Sequence, residues 1–141
     1  GNRPDSADKL IIDIKQIRGK RFACVAGSLF NVSPYSRVQN LPISILNANH
    51  GAADPRDSSV TYEIVGYTCI EGDVLSTAVP GPLAVGDFLV FGNVGSYSIV
   101  MKPPFILPSV PILMRPVHSP KDHILVKRAE TFEYIFQNFV F

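Results

Sequence analysis

Residues 10–26 read LIIDIKQIRGKRFACVA, and this stretch decides which fold the sequence predicts. Residues 10–17 are rich in β-branched side chains and partly alternate between apolar and polar, which predicts a strand. Arg18-Gly19-Lys20 predicts a turn, because glycine takes a positive φ at little cost. Residues 21–26 predict the returning strand, so the segment is interpreted as a β-hairpin.

Short strands and turns continue on the C-terminal side of this hairpin. Apolar or alternating runs predict further strands over residues 41–46, 60–65, 87–91 and 97–101. Glycine, proline and asparagine predict mostly loop over residues 27–40 and 47–59, and turns over 83–86 and 92–95. Five prolines between residues 103 and 116 restrict residues 106–114 to edge strands or extended chain.

The end of the chain has a different periodicity. Apolar residues at 132, 135, 136 and 139 have helical spacing, and Glu130 and Glu133 lie near the expected helix start, where the helix dipole favours them. The sequence therefore predicts an all-β fold with one short C-terminal helix. We expect a Greek-key-like β-barrel or sandwich in a single domain spanning residues 1–141.

Composition and charge exclude several classes of protein. The 141 residues are 46% hydrophobic and 18% charged with a net charge of +1, which is typical of a globular chain. Basic residues do not cluster as a nucleic-acid surface requires, and no apolar run is long enough to span a membrane. Two cysteines do not form a disulfide framework, and the polar start lacks a signal sequence, so we expect a cytoplasmic protein.

The first candidate for chemistry is the stretch GYTCIEGD at residues 66–73. It follows a predicted strand and combines a thiol, Cys69, with two carboxylates and a glycine, which favours a functional loop. The alternative is that Cys69 is a small buried hydrophobic residue, the usual role of a free cysteine, and composition alone favours it. Cys24 lies within a predicted strand and is interpreted as a core residue.

The second candidate is the turn GSYS at residues 95–98. It presents a phenol and two hydroxyls, which can hold a phosphate or carboxylate as uncharged donors. The alternative is a tyrosine packed on the barrel with its hydroxyl at the rim. The three histidines, at 50, 118 and 123, lack metal-ligand spacing, so we expect no metal site.

The order of these motifs resembles a known family. The stretches CIEGD (69–73), LAVGDFLVF (83–91) and GSYS (95–98) are similar to the C-terminal β-barrel domain of the ornithine/diaminopimelate/arginine decarboxylases. These are pyridoxal-phosphate enzymes of fold type III, the alanine-racemase fold, whose pattern is a Cys-to-Asp loop, a Gly-Asp before an apolar strand and a glycine-tyrosine turn. Residues 13–22 and 127–133 resemble the opening hairpin and closing helix of that domain more weakly.

This resemblance implies a larger protein. The family's enzymes carry an N-terminal (β/α)8 barrel with the cofactor lysine and a glycine-rich phosphate site, and 141 residues are too few for both domains. We therefore expect a fragment that binds pyridoxal 5′-phosphate only as part of its parent and is inactive alone. The implied partners are an amino-acid substrate, the N-terminal barrel and a second copy in a homodimer, with no nucleic acid and no membrane.

The resemblance also implies roles for individual residues. Cys69 steers protonation of the substrate at Cα, Asp73 lies near substrate and cofactor, and Tyr97 reaches the cofactor phosphate. The family often has an acidic residue directly after the cysteine to hold a distal ammonium, but this chain has Ile70. Glu71 can replace it only if the loop turns differently. The stretch KPPFI at residues 102–106 also stands where the family commonly has Phe-Asn-Gly, which suggests a divergent branch acting on a larger or acylated diamino acid.

Two readings without catalysis stay open. One is a stand-alone β-barrel that binds a ligand at the rim formed by residues 66–73 and 95–98. The other is a structural dimerisation domain. An interface would leave apolar side chains exposed in the isolated chain, and the candidates, for which a core position is an equal alternative, are Phe105, Ile106, Phe136, Phe139 and Phe141.

Overall fold

The computed structural model describes residues 6–32, 41–48, 59–95, 97–116, 118–119 and 121–140. The chain divides into two compact units, one ending at Met101 and the other comprising Lys102–Phe141. We call them the N-terminal unit and the C-terminal unit.

The described residues of the N-terminal unit form six strands and two one-turn helices. The strands are β1 (Ser6–Ile17), β2 (Lys20–Val25), β3 (Ile43–Leu46), β4 (Thr61–Val65), β5 (Val74–Pro80) and β6 (Phe88–Gly92). The helices are α1 (Leu29–Val32) and α2 (Ser98–Met101). The β1–β2 hairpin turns at Arg18 and Gly19, whose φ values of 48° and 79° match the mirror-image turn that suits a twisted hairpin.

Strand β1 organises this sheet because it changes partner along its length. The strand order is β3-β6-β1-β2-β4-β5, with β2 and β4 parallel and the other pairs antiparallel. The first half of β1 pairs with β6 up to Leu10, and the second half pairs with β2 from Ile11 onward. A register irregularity between Ile11 and Asp13 marks the change. The six-stranded sheet curls into a half-barrel.

The core lies on one face of the curled sheet, as alternating strands require. In β2, β4 and β6 the buried residues alternate with more exposed ones, which places Ala23 and Val25, Tyr62 and Ile64, and Leu89 and Phe91 inside. Val32 of α1 joins the same core. The all-β prediction is confirmed.

The Gly-Asp pair before β6 has a structural explanation. Gly86 has a φ of 97°, which suits glycine, and its N–H donates to the Ile11 carbonyl at 2.9 Å. The carboxylate of Asp87, 6% exposed, accepts from the N–H groups of Ala48 at 3.1 Å and Ala84 at 2.9 Å. The Asp87 carbonyl also accepts from Ile11 N–H at 2.8 Å. This pair therefore fixes the turn against the bend in β1.

The C-terminal unit is a β-ribbon followed by a helix. It contains β7 (Ile112–Met114), β8 (Ile124–Lys127) and α3 (Phe132–Phe136). Thr131 caps α3 by accepting from Tyr134 N–H, and Phe136 packs between the rings of Phe132 and Phe139. None of the described side chains of this unit is buried.

Most predicted elements agree with the structure, and one is wrong. The hairpin, the strands near residues 41–46, 60–65 and 87–91 and the C-terminal helix are confirmed. Residues 97–101 were expected to form a strand, but 98–101 form α2, with Met101 N–H donating to the Tyr97 carbonyl at 2.9 Å. Residues 33–40 and 49–58, both in predicted loops, lie outside the described residues.

We expect Asp87→Ala to destabilise the chain, because it leaves the N–H groups of Ala48 and Ala84 without their acceptor. The free energy of unfolding should fall by about 2 kcal/mol, measured by urea denaturation. Asp8→Ala is the matched control, since Asp8 is exposed on β1. Equal effects of the two changes would contradict the structural role of Asp87.

Glu130 should make the C-terminal unit sensitive to acid. Burial alone would raise the pKa of Glu130, but hydrogen bonds from Ser109 N–H at 3.1 Å and Lys127 Nζ at 3.3 Å outweigh it and hold the pKa below the usual 4.5. A carboxyl with a lowered folded pKa stabilises the fold above its unfolded pKa, and this contribution is lost as the pH falls through the folded value.

We therefore expect the free energy of unfolding of this unit to fall less steeply with pH below about pH 4.5 in Glu130→Gln than in the unchanged chain. Amide NMR signals of β7 and β8 between pH 7 and 3 measure the effect. Identical pH profiles for both proteins would contradict the proposed contribution of Glu130 to the stability of this unit.

Candidate functional site

Residues 66–73 form a closed loop between β4 and β5, which we call the cysteine loop. Gly66 N–H donates to the Asp73 carbonyl at 2.8 Å, and Asp73 N–H donates to the Ile70 carbonyl at 2.9 Å. The buried Asp73 carboxylate accepts from Thr68 N–H at 3.2 Å and Thr68 Oγ1 at 2.5 Å. Its other oxygen accepts from Leu29 N–H at 2.7 Å, so the loop is attached to the start of α1.

Gly66 is required by this close packing. A Cβ atom at Gly66 would lie 2.1 Å from Asp73 Oδ2 and 2.4 Å from its Cγ, so no side chain fits there. The next residue, Tyr67, donates its N–H to the Gly27 carbonyl at 3.0 Å. The cysteine loop is thus held from both sides by residues around the start of α1.

The tip of the cysteine loop is open to solvent. Cys69 is a free, exposed cysteine, and Ile70 and Glu71 beside it are exposed as well. The alternative of Cys69 as a core residue is therefore wrong: the loop geometry directs residues 69–71 outward while Asp73 faces inward. Asp73 differs from the other predicted site residues because its carboxylate is 4% exposed and bonded within the fold.

Residues 95–98, the tyrosine turn, lead into α2, whose first residue is Ser98. Gly95 has a φ of 117° and Tyr97 a φ of 66°, which costs a residue with a Cβ about 1 to 2 kcal/mol. The Tyr97 side chain is 65% exposed, so core packing does not explain this conformation. A strained backbone under an exposed phenol is typical of a functional position. Ser96 lies outside the described residues.

Ser98 attaches the tyrosine turn to α1. Its side chain is buried, and its hydroxyl donates to the Val32 carbonyl at 2.8 Å. The sequence predicted this hydroxyl as an uncharged donor to a phosphate or carboxylate, but in the structure it is buried and donates to α1 instead. The structure therefore brings the segments of Cys69 and Tyr97 to the same helix, one at each end.

Cys24 lies below the cysteine loop, on the outer face of the sheet. Its Sγ is 3.5 Å from the Gly66 carbonyl, and burial, together with the charges of Asp13 and Asp73, raises the pKa of the thiol. Burial likewise raises the pKa of Tyr67. An open groove of about 290 Å³ runs beside Cys24, lined by Asp13, Lys15, Ile17, Phe22, Cys24 and Val65. Cys24 is therefore half-buried at the sheet surface rather than in the core.

Other kinds of site find little support among the described residues. His118 and His123 are both exposed, while His50 lies outside the described part of the chain. Within that part, no three histidine, cysteine, aspartate or glutamate side chains cluster as metal ligands would. The described helices are one or two turns long, and none is long and apolar enough to cross a membrane.

Comparison with known proteins agrees with these motifs. Residues 10–95, more than half of the chain, match the family described as pyridoxal-dependent decarboxylase, C-terminal sheet domain. No curated protein sequence matches the chain.

Solved structures share the fold at low sequence identity. A diaminopimelate decarboxylase is 20% identical with a TM-score of 0.80, over 94% of this chain and 33% of that one. The Helicobacter pylori diaminopimelate decarboxylase with L-lysine is 17% identical with a TM-score of 0.74, over 94% and 31%. The Campylobacter jejuni carboxynorspermidine decarboxylase with norspermidine is 18% identical with a TM-score of 0.70, over 94% and 38%.

The chain thus spans about a third of the length of these structures. The family match covers the hairpin, the cysteine loop, the Gly-Asp turn and the beginning of the tyrosine turn, which are the motifs that carry the resemblance in the sequence. The chain therefore belongs to the family of C-terminal sheet domains of the pyridoxal-dependent, fold type III decarboxylases.

Proposed function

We propose that this chain is the C-terminal part of a pyridoxal-phosphate-dependent amino-acid decarboxylase, and that Cys69 and Tyr97 act in its active site. One observation carries the proposal: the two segments that bear these exposed side chains are hydrogen-bonded to the same helix, within a domain of the decarboxylase family. The N-terminal (β/α)8 domain and a second copy of the protein, both expected from the resemblance, would complete the site. A cytoplasmic enzyme agrees with the free thiol at its surface.

The hydrogen-bond donors of this chain can supply a small part of the contacts that hold the cofactor. A phosphate needs hydrogen-bond donors, and the Tyr97 hydroxyl is an exposed, uncharged donor on a backbone fixed by Ser98. When bound, the cofactor supplies a ring that withdraws electrons from Cα as CO₂ leaves. Tyr97 would orient its phosphate, and the N-terminal domain would supply most other contacts.

Cys69 would deliver the proton that replaces the carboxylate at Cα. The thiol is an exposed proton donor on a loop with a fixed backbone, which is what directed proton transfer to one face requires. Asp73 is bonded inside the loop, so its part in the reaction would be exerted through the loop's shape.

The substrate would be an amino acid with a second amino group. Glu71 is exposed beside Cys69 and can pair with a distal ammonium, whereas Ile70 cannot. Two relatives were crystallised with L-lysine and norspermidine, and both of these molecules carry more than one amino group. Ile70, 42% exposed, offers an apolar contact that suits a larger or acylated diamino acid.

The test is a decarboxylation assay of the full-length protein with diamino acids, comparing Cys69→Ala with the unchanged enzyme. Turnover should fall by about a hundredfold, the lower range for loss of a general acid, and a larger share of the product should be misprotonated, with the proton added at a position other than Cα. Cys69→Ser should retain part of the activity, because a hydroxyl still donates.

The exposed position of Cys69 makes the control simple. Thermal unfolding of Cys69→Ala should match that of the unchanged protein, since exposed substitutions change stability by less than about 0.5 kcal/mol. An unchanged rate and product ratio would remove Cys69 from the mechanism.

Tyr97→Phe should weaken cofactor binding while the fold is kept. The loss of a hydrogen bond to a charged phosphate should raise the dissociation constant of pyridoxal phosphate by about tenfold or more. Equilibrium titration of the full-length apoenzyme measures this. Tyr134→Phe is the matched control, since Tyr134 is also exposed but lies on α3. Equal affinities of both variants would contradict the role of Tyr97.

A further inference from the structure

We propose that Ser98 and Asp73 are positioning residues that act through α1, so that this one helix sets the geometry of Cys69 and Tyr97 together. The inference rests on the proposed function, since it concerns the same site. It assigns a role to Ser98 and gives Asp73 an indirect role in place of contact with the substrate.

The Asp73 end of the link is closed to substrate. Asp73 is 4% exposed, and its carboxylate accepts hydrogen bonds from Leu29 N–H, Thr68 N–H and Thr68 Oγ1. A buried carboxylate is stable only when its oxygens are paired in this way. Because one oxygen bonds the loop and the other bonds α1, a shift of α1 would move the loop that bears Cys69.

The Ser98 end joins the opposite end of the same helix. Its buried hydroxyl donates to the carbonyl of Val32, the last residue of α1. The carbonyl groups at a helix end have no partner within the helix, so this bond gives the Val32 carbonyl a partner outside α1. Tyr97 precedes Ser98 directly, and its positive φ is maintained only if the residues around it are held.

Helix α1 is suited to connect the cysteine loop with the tyrosine turn because it is short and its first turn is held by hydrogen bonds. Ser28 Oγ accepts from Phe30 N–H at 3.2 Å, and Asn31 Oδ1 accepts from Ser28 N–H at 2.9 Å, which closes the first turn reciprocally. Val32 is 1% exposed in the core. The four residues of α1 span only about 6 Å along the helix axis. A displacement of one end of α1 is therefore transmitted to its other end.

Amide hydrogen exchange in the full-length protein without added cofactor tests the link directly. Ser98→Ala should raise exchange at residues 95–101 and also, through α1, at residues 66–73 by about threefold to tenfold. Asp73→Asn should raise exchange at residues 95–101 in the same way. Ser98→Thr should restore the pattern, because it keeps the hydroxyl.

The matched control is Ile99→Ala, one residue further along α2. Ile99 is 58% exposed, so this change should leave exchange in the cysteine loop as it was. A rise confined to residues 95–101 in Ser98→Ala would overturn the link. If Ser98→Ala loosens the whole six-stranded sheet, Ser98→Cys replaces it, since a thiol is a weaker donor that keeps the side chain's shape.

Cofactor titration separates this inference from the function on which it rests. Ser98→Ala should weaken pyridoxal phosphate binding by up to about tenfold when Tyr97 is present and hardly at all in Tyr97→Phe, because the serine acts through the tyrosine. Independent effects in the double variant would overturn the positioning role alone. If Tyr97→Phe itself has no effect, the proposed function and this inference both fail.

Discussion

The carboxylate of Asp73 is the charge around which the candidate site is built. Removing a carboxylate from water costs far more than one hydrogen bond returns, so the fold must surround it with donors. Thr68 and Leu29 supply them. Gly66 provides the space, since any Cβ there would overlap the carboxyl group. The exposed residues Cys69 to Glu71 then lie at the tip of a loop whose base is anchored.

Local patterns predicted the parts of the fold that depend on local forces. The β1–β2 hairpin follows from β-branched residues and Gly19, and β6 follows from an apolar run after Gly86. β5 received no prediction, because Val74–Pro80 contains serine, threonine and a proline and its pairing with β4 is irregular. The error at α2 arose because Ile99 and Val100 suit a strand, whereas the bond of Ser98 to Val32 and the turn before it decide the backbone.

For the site, the motif order led to the prediction of Cys69, Asp73 and Tyr97 but not of the helix to which their segments are bonded. Leu29 lies 44 residues before Asp73, and Val32 lies 66 residues before Ser98. Leu29 contributes a backbone N–H, which every residue but proline has, and Val32 contributes a backbone carbonyl, which every residue has, so no side-chain pattern marks them. The inward direction of Asp73 and the outward direction of Cys69 also depend on this connection. The sequence alone therefore left open whether Cys69 is a core residue or part of a functional loop.

The change of partner within β1 has a consequence for how the protein is made. The second half of β1 finds β2 within a few residues, whereas its first half pairs Ser6 with Gly92. A ribosome that has released only the hairpin therefore leaves one half of β1 as a bare edge until β6 emerges. Contacts so distant in sequence slow folding, and an open edge can pair with a neighbouring chain. The domain is thus most exposed to pairing with neighbouring chains after β2 has been synthesised and before β6 has.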